Sequence, residues 1–273
     1  MNGQCCETWR LVHDSPLAGP RNMARDEAIL HAVAVGHVPP TLRLYDWQPS
    51  TLSLGISQRA SDADMSRLEH FGWGLVRRPT GGRAILHVDE LTYSLCLPGS
   101  HALAQGSIIE SYRRISEALG EAARILGIQT DADRAAGHGS HSPVCFETPS
   151  HYELTVEGKK LAGSAQARKD GGVLQHGALP LAGDPGRIVD ALVFASEAAR
   201  ETARERVRAR ATNFTEAAGR QVTGEETVQA LIHAVEHVFG VRLERGELTA
   251  REAEEVDRLE QAVYGAAEWT FRR

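Results

Sequence analysis

Two turn dipeptides constrain this chain more than any other feature: Glu157-Gly158 and Asp170-Gly171. Each lies between runs that read as strands, with Tyr152–Val156 before the first, Lys160–Arg168 between them and Val173–Leu181 after the second. Strands joined by two-residue turns must be antiparallel neighbours, because a parallel crossover needs about a dozen residues or more. Short β-like runs also precede this region, at Thr41–Trp47, Thr51–Leu54, Trp73–Arg78, Ala84–His87 and Leu91–Leu97. Pro79-Thr80-Gly81-Gly82 supplies a turn signal between two of them.

Helices are interspersed singly. Asn22 is expected to cap a helix from Met23 to about Val35, and Ser61–Phe71 reads as a short helix stopped by Gly72. Ser107…Glu110 is a capping box ahead of an apolar stripe that ends at Gly127. Residues 130–150 read as loop, rich in Gly, Ser, His and Pro. Arg187–Arg210 carries Glu/Arg pairs three apart, the pattern of a solvated helix face. Thr223…Glu226 and Thr249…Glu252 are further capping boxes, opening helices to about Phe239 and Val263. Hairpins mixed with single helices predict an α+β fold with a mixed, largely antiparallel sheet and flanking helices, not a doubly wound one. The organisation expected is a catalytic core over 1–215 and a helical C-terminal segment, 216–273, packed on it.

Of the 273 residues 42% are apolar and 24% charged, enough to bury a core, and the formal charge is −6. That charge argues against a nucleic-acid partner, which requires a basic surface. No run approaches the ~18 apolar residues of a membrane span. The first residues have neither a basic start nor an apolar core, so a cytoplasmic location is expected. Four cysteines do not make a disulfide scaffold. Cys5 and Cys6 read as an exposed pair, and Cys96, within a strand, as an inert core thiol.

Three segments carry the residue types chemistry needs. Arg77-Arg78-Pro79-Thr80-Gly81-Gly82-Arg83-Ala84 lets backbone approach a ligand closely beside positive charge, which suits a phosphate, pantetheine or acyl carbonyl. It also reads as a plain tight turn, and it is neither a Walker loop nor a dinucleotide fingerprint. Cys145 lies in a polar loop with His138 and His141. Such a thiol is either a nucleophile or the third of only three visible zinc ligands, an incomplete set. In Gly158–Gln166, strand alternation puts Lys160, Ala162, Ser164 and Gln166 on one face and Leu161, Gly163 and Ala165 on the other. A two-residue turn sets Thr155 opposite Lys160 and His151 opposite Ser164. Small neighbours then leave room for a ligand beside Lys160, although a snorkelling or ion-paired lysine fits the same pattern.

Together these segments resemble the lipoate/octanoate transferase and ligase superfamily, part of the wider group of biotin and lipoyl protein ligases. The residues that carry the resemblance are Asn22–Glu27, Arg77–His87, Glu90–Ser94, Cys145–Ser150, Tyr152–Gln166, Gln175–Gly177 and Glu268–Arg272, spanning about 8–273. The resemblance implies the biotin/lipoyl protein ligase fold. Within the superfamily the likeness is to the octanoyltransferases. It implies Cys145 as nucleophile and Lys160, not Lys159, as its catalytic partner. It further implies a substrate pocket built with Arg78, Gly81, Gly82, His87, Ser164 and Gln166. Many relatives follow the histidine directly with Asp, whereas here Val88 intervenes before Asp89, so no role passes to Asp89.

The reaction so implied runs without cofactor or metal. Octanoyl passes from acyl carrier protein to Cys145, and from there to a lysine of the glycine-cleavage H protein or another lipoyl domain. A lysine ammonium beside a thiol of ordinary pKa ~8.5 would favour the thiolate. Burying the chain is worth roughly 0.8 kcal/mol per methylene, so pocket depth would select chain length. Arg83 or the arginines of 200–210 would dock the acidic donor. The alternatives are an ATP-dependent lipoate–protein ligase, an amidotransferase that takes octanoyl from H protein, and a non-catalytic binding module of the same fold.

Overall fold

The computed structural model describes residues 6–132 and 154–273. In chain order the elements are β1 (Glu7–His13), α1 (Gly19–Ala34), β2 (Thr41–Tyr45), β3 (Thr51–Leu54), α2 (Met65–Phe71), β4 (Gly74–Arg77), β5 (Ile85–His87) and β6 (Glu90–Pro98). There follow α3 (Ile108–Ile125), β7 (Thr155–Val156), β8 (Lys159–Lys160), β9 (Gly163–Lys169) and β10 (Gly172–Pro180). The chain ends with α4 (Glu197–Arg210), α5 (Phe214–Ala218), α6 (Gly224–Phe239), β11 (Val241–Arg245), α7 (Ala250–Leu259) and α8 (Ala267–Thr270).

A six-stranded sheet, ordered β11-β1-β2-β6-β10-β9, forms the centre. β1 runs parallel to both its neighbours, and the pairings from β2 through β6 and β10 to β9 are antiparallel. The sheet is therefore mixed, and its antiparallel half ends in the β9-β10 hairpin that Asp170-Gly171 predicts, whereas the Glu157-Gly158 hairpin, β7-β8, stands apart as a two-stranded sheet of its own. Glu157 and Gly158 have φ of 53° and 73°, and Asp170 and Gly171 have 51° and 81°. Positive φ at both central residues is the requirement of the tight turn whose twist matches its strands. The register Thr155↔Lys160 is the one expected.

Helices cover both faces of the sheet. On one, α3 and α6 bury Ile115, Leu119, Leu231 and Val235 against Leu42, Tyr93 and Leu95. On the other, α1 sets Ile29, Leu30 and Val33 on Cys96 and Leu174, and α7 backs α1. A second sheet, β4-β3-β5, stands beside the central one, with a separate apolar core of Leu52, Leu54, Leu68 and Leu86. The site lies between the two sheets.

Several local expectations change. Helix α1 starts at Gly19 with Pro20 in its first turn, and Asn22 is inside it, not its cap. Proline costs nothing there because its missing N–H would have had no helical partner. Asn22 Nδ2 donates instead to the carbonyls of Leu17 and Asp46. The three capping boxes at Ser107, Thr223 and Thr249 form as read. After α6 the chain adds β11 to the edge of the central sheet, so residues 216–273 are not helical throughout. The face of α4 expected to be solvated keeps Glu197, Glu201, Glu205 and Arg208 exposed but is covered at Arg200 and Arg204. Arg200 is buried and donates to the carbonyls of Val189 and Leu192, Arg204 pairs with Asp190, and Arg208 with Asp184. Cys96 is buried as expected, and burial pushes its thiol pKa up. Cys6 is exposed. Cys5 lies outside the described residues.

Candidate active site

The Arg77-Arg78 pair ends β4, and its two guanidiniums do separate work. Arg77 donates to the carbonyls of Gly55, Gln58, Trp269 and Thr270. Arg78 donates to the Ser53 carbonyl and hydroxyl, the Thr80 hydroxyl, and the carbonyls of Gly81 and Arg83. Five contacts use up the five N–H groups of a guanidinium. Arg78 thus holds the Pro79–Arg83 loop in shape, with its charge buried and, among the described residues, no carboxylate in contact. Burial lowers its pKa from 12.5 to about 10, which leaves it cationic at neutral pH. The loop also depends on glycine: Gly82 has φ 92°, and a Cβ there would lie 2.9 Å from Arg78 Nη2.

A buried relay ties this loop to α1. Thr80 Oγ1 is 2.7 Å from His176 Nε2, and His176 Nδ1 is 3.1 Å from Asp26 Oδ2. Asp26 also accepts from Arg43, Tyr45 and Ser94. Burial alone would raise its pKa, but Arg43, His176 and Ser94 outweigh that and hold the carboxyl below its usual range. For His176 burial dominates over the upward pull of Asp26, so the imidazole is pushed below its ordinary value. Sequence reasoning gave no role to His176 or Asp26. The available signal was a histidine inside the apolar run Val173–Leu179.

His87, at the end of β5, is fixed from three sides. Its Nε2 is 2.8 Å from Ser53 Oγ, its Nδ1 is 2.7 Å from Glu90 Oε1, and its ring stacks on Trp47 at 3.9 Å. Glu90 and Trp47 are further positioning groups that sequence reasoning missed. Asp89 forms the turn between β5 and β6 with φ 52° and pairs with Arg187, away from His87.

Lys160 lines a cavity of about 260 Å³ with Ile85, Leu86, Val88, Ala178, Val207 and Ala211 among its walls. Ile85, Gly163 and Ala178 also line a narrow pocket of about 20 Å³ walled by Arg78, His87, Trp47, Ala165 and His176. Lys160 on one side and Arg78 with His87 on the other thereby line two mainly apolar spaces that share the walls Ile85, Gly163 and Ala178. The backbone beyond Lys160 is fixed by Leu161 N–H to Leu154 O at 2.8 Å and Thr212 N–H to Lys160 O at 3.0 Å.

The expected side-chain faces need one correction. Strand pairing breaks at Leu161-Ala162 between β8 and β9, so alternation does not run through from Lys160. A Cβ on Gly163 would lie 3.7 Å from Lys160 Nζ, placing the lysine on the Gly163 side. Ser164 and Gln166 point to the sheet face covered by α3. The Tyr93 hydroxyl donates to Ser164 Oγ at 2.8 Å, and Gln166 Nε2 lies 3.2 Å from Ser111 Oγ and 3.1 Å from Gln175 Oε1. The structure therefore groups these two apart from Lys160. Cys145, His138, His141 and His151 lie outside the described residues. Among the described residues, no three His, Cys, Asp or Glu side chains are placed to hold a metal ion, and no helix is long and apolar enough to cross a membrane.

Residues 19–236 fit the lipoyl protein ligase A/B catalytic domain. The chain belongs to that family. Among its relatives, the octanoyltransferase LipM of Kyrpidia tusciae is 44% identical over 274 residues, covering 98% of this chain and 100% of the relative. The octanoyltransferase LipM of Bacillus subtilis is 37% identical over 276 residues, covering 98% and 99%. In fold, the chain is similar to a bipartite lipoate protein ligase structure from Thermoplasma acidophilum, with TM-score 0.82, 24% identity, and 97% and 96% of the two chains covered. A lipoate-protein ligase A bound with ATP gives TM-score 0.78 at 23% identity, covering 97% and 98%.

Proposed function

We propose that this protein is an octanoyltransferase of lipoate biosynthesis that works through a thioester on Cys145. The donor is octanoyl-acyl carrier protein, and the acceptor is a lysine of the glycine-cleavage H protein or a similar lipoyl domain. The observation that carries the reading is Lys160 at an apolar cavity that shares walls with the pocket of Arg78 and His87, in a chain 37–44% identical to octanoyltransferases. An aliphatic chain gains roughly 0.8 kcal/mol per buried methylene, so such walls favour the eight-carbon tail.

In the first half-reaction the Cys145 sulfur attacks the donor's carbonyl carbon. A new C–S bond forms, the bond to the carrier's pantetheine sulfur breaks, and the released thiolate takes up a proton. In the second, the acceptor amine attacks the acyl-Cys145 carbonyl. A C–N bond forms, Cys145 leaves as thiolate, and the amine gives up a proton. Lys160 supplies positive charge beside the sulfur and passes the proton between leaving and attacking groups. Exchange of one thioester for another keeps the acyl group activated, so ATP is not consumed. Arg78 acts at one remove by holding the Pro79–Arg83 loop that leads into the cavity-wall residues Ala84 and Ile85.

The test is intact-protein mass spectrometry after mixing with octanoyl-acyl carrier protein in the absence of ATP, with Cys145→Ala in parallel. A hydroxylamine-labile octanoyl adduct on the wild type alone, chased onto H protein, is the expected result. No adduct, together with ATP- and Mg²⁺-dependent modification of the acceptor by both proteins, would make this a ligase instead.

A further inference from the structure

The arginines of α4 fall into two sets. Arg200, Arg204 and Arg208 are engaged by backbone carbonyls or carboxylates of the 184–192 segment. Arg206 and Arg210, four residues apart, lie on the other flank, since positions spaced by four stack on one side of a helix. Both are exposed, and among the described residues neither has an ion pair. The same holds for exposed Arg83 and half-buried Lys159. Each of these four cations adjoins in sequence a residue that lines the Lys160 cavity: Arg83 precedes Ala84, Lys159 precedes Lys160, Arg206 precedes Val207, and Arg210 precedes Ala211. Arg187, which lines the cavity itself, is paired with Asp89. A chain of net charge −6 thus keeps four cations, without ion pairs among the described residues, each one residue away from the wall of one cavity.

From this placement we propose that Arg83, Lys159, Arg206 and Arg210 form the docking rim for the acyl donor, an acidic carrier protein whose thioester arm enters the cavity between them. The inference rests on the octanoyltransferase reading. It adds the surface and the force: charge on the rim raises the encounter rate, and the arm then follows the apolar wall inward. Because α4 is joined to the lysine strand through Thr212 N–H to Lys160 O, docking on α4 bears directly on the strand that carries Lys160.

The experiment measures the rate of octanoyl adduct formation from two donors, octanoyl-acyl carrier protein and uncharged octanoyl-pantetheine. Wild type is compared with Arg206→Glu/Arg210→Glu and with Arg242→Glu/Arg251→Glu, which makes the same charge change elsewhere. For the rim variant, kcat/KM with the carrier protein should fall about tenfold and lose most of its dependence on salt. Its rate with octanoyl-pantetheine should stay within twofold of wild type, which also shows that it folds. Equal loss with both donors, or equal loss in the control variant, overturns the rim. So does unchanged transfer from the carrier protein. No wild-type adduct from either donor overturns the octanoyltransferase reading and the rim with it, an outcome distinct from the loss of the rim alone.

Discussion

Gly55 makes no contact that chemistry requires, yet it should be among the least replaceable residues near the site. A Cβ built on it would lie 2.0 Å from the carbonyl oxygen of Gly82, whereas ordinary van der Waals contact starts at 3.4 Å. The obstacle is backbone, so no side-chain rotation relieves it. The loop must move by more than 1 Å, against Ile56 N–H to Thr80 O at 2.8 Å and the Arg78 contacts that hold it. Overpacking of this kind costs about 1–3 kcal/mol, or roughly 5 °C in melting temperature for a chain of this size. A displacement of ~1 Å at a reacting site can cost on the order of a hundredfold in rate. Gly81 provides the control, because a Cβ there meets nothing within 4 Å. Gly55→Ala should therefore lose octanoyl transfer by about two orders of magnitude and melt several degrees lower, with Gly81→Ala close to wild type in melting temperature. Gly82→Ala, strained by its positive φ and touching the end of a side chain, should melt between them. Equal melting temperatures for Gly55→Ala and Gly81→Ala would refute the close approach of these two segments.

Two predictions concern the buried relay. Asp26→Asn leaves fully buried Arg43 with Asp14 as its one remaining carboxylate, so the cost should reach about 3 kcal/mol, the lower end for breaking a buried pair; a melting point within a degree of wild type would show that Asp14 balances Arg43 alone. Stability should also fall on acidification. The folded-state pKa of His176 is below its ordinary 6.5, so the unfolded chain takes up that proton first and stability is lost as pH drops through 6.5. The depressed Asp26 carboxyl adds stability above its ordinary 3.8 that disappears at still lower pH. Melting curves from pH 7.5 to 5.5 should therefore slope downward in wild type and less steeply in His176→Gln, and equal slopes would remove His176 from the account.

What was legible in the sequence was mostly local. The capping boxes at Ser107, Thr223 and Thr249 involve side chains three residues apart, and both hairpin turns follow from dipeptides that accept positive φ. Misreadings arose where a distant segment decided the outcome. Asn22 has the chemistry of a cap, but the carbonyls of Leu17 and Asp46 claim its amide. The Glu/Arg spacing of α4 looks the same whether the helix faces water or Asp184 and Asp190. β11, Val-Arg-Leu-Glu-Arg, carries the charges of an edge strand and no strong apolar pattern, so only its pairing with β1 reveals it. At the site, the turn placed Lys160 opposite Thr155 correctly. The faces beyond it depended on a break at Leu161-Ala162 that alternation cannot foresee. The loop, the lysine and His87 stood out by residue type, while Asp26, His176, Glu90 and Trp47 position them through contacts that span up to 150 residues of sequence.

The Arg77-Arg78 pair ties residues 269–273 to the loop beside the site. Arg78 turns inward and spends its donors on the loop, while Arg77 spends its own on the Gly55–Gln58 turn and on the carbonyls of Trp269 and Thr270. The indole of Trp269 returns a hydrogen bond to Arg77 O at 2.8 Å, and Ala60 N–H donates to Arg273 O at 2.7 Å. The last residues thus clamp the segment against which the loop packs. Among the described residues neither guanidinium has a carboxylate in contact; Arg77 is satisfied by backbone carbonyls, and Arg78 by backbone carbonyls together with the Ser53 and Thr80 hydroxyls. A single carboxylate partner would neutralise such a charge but would fix only one point. Carbonyls from several segments fix all of them together, and a lysine with its single ammonium could not span them. This gives each arginine a separate reason to be arginine, and it makes the C-terminal segment part of the scaffold that sets where the Gly81-Gly82 loop stands.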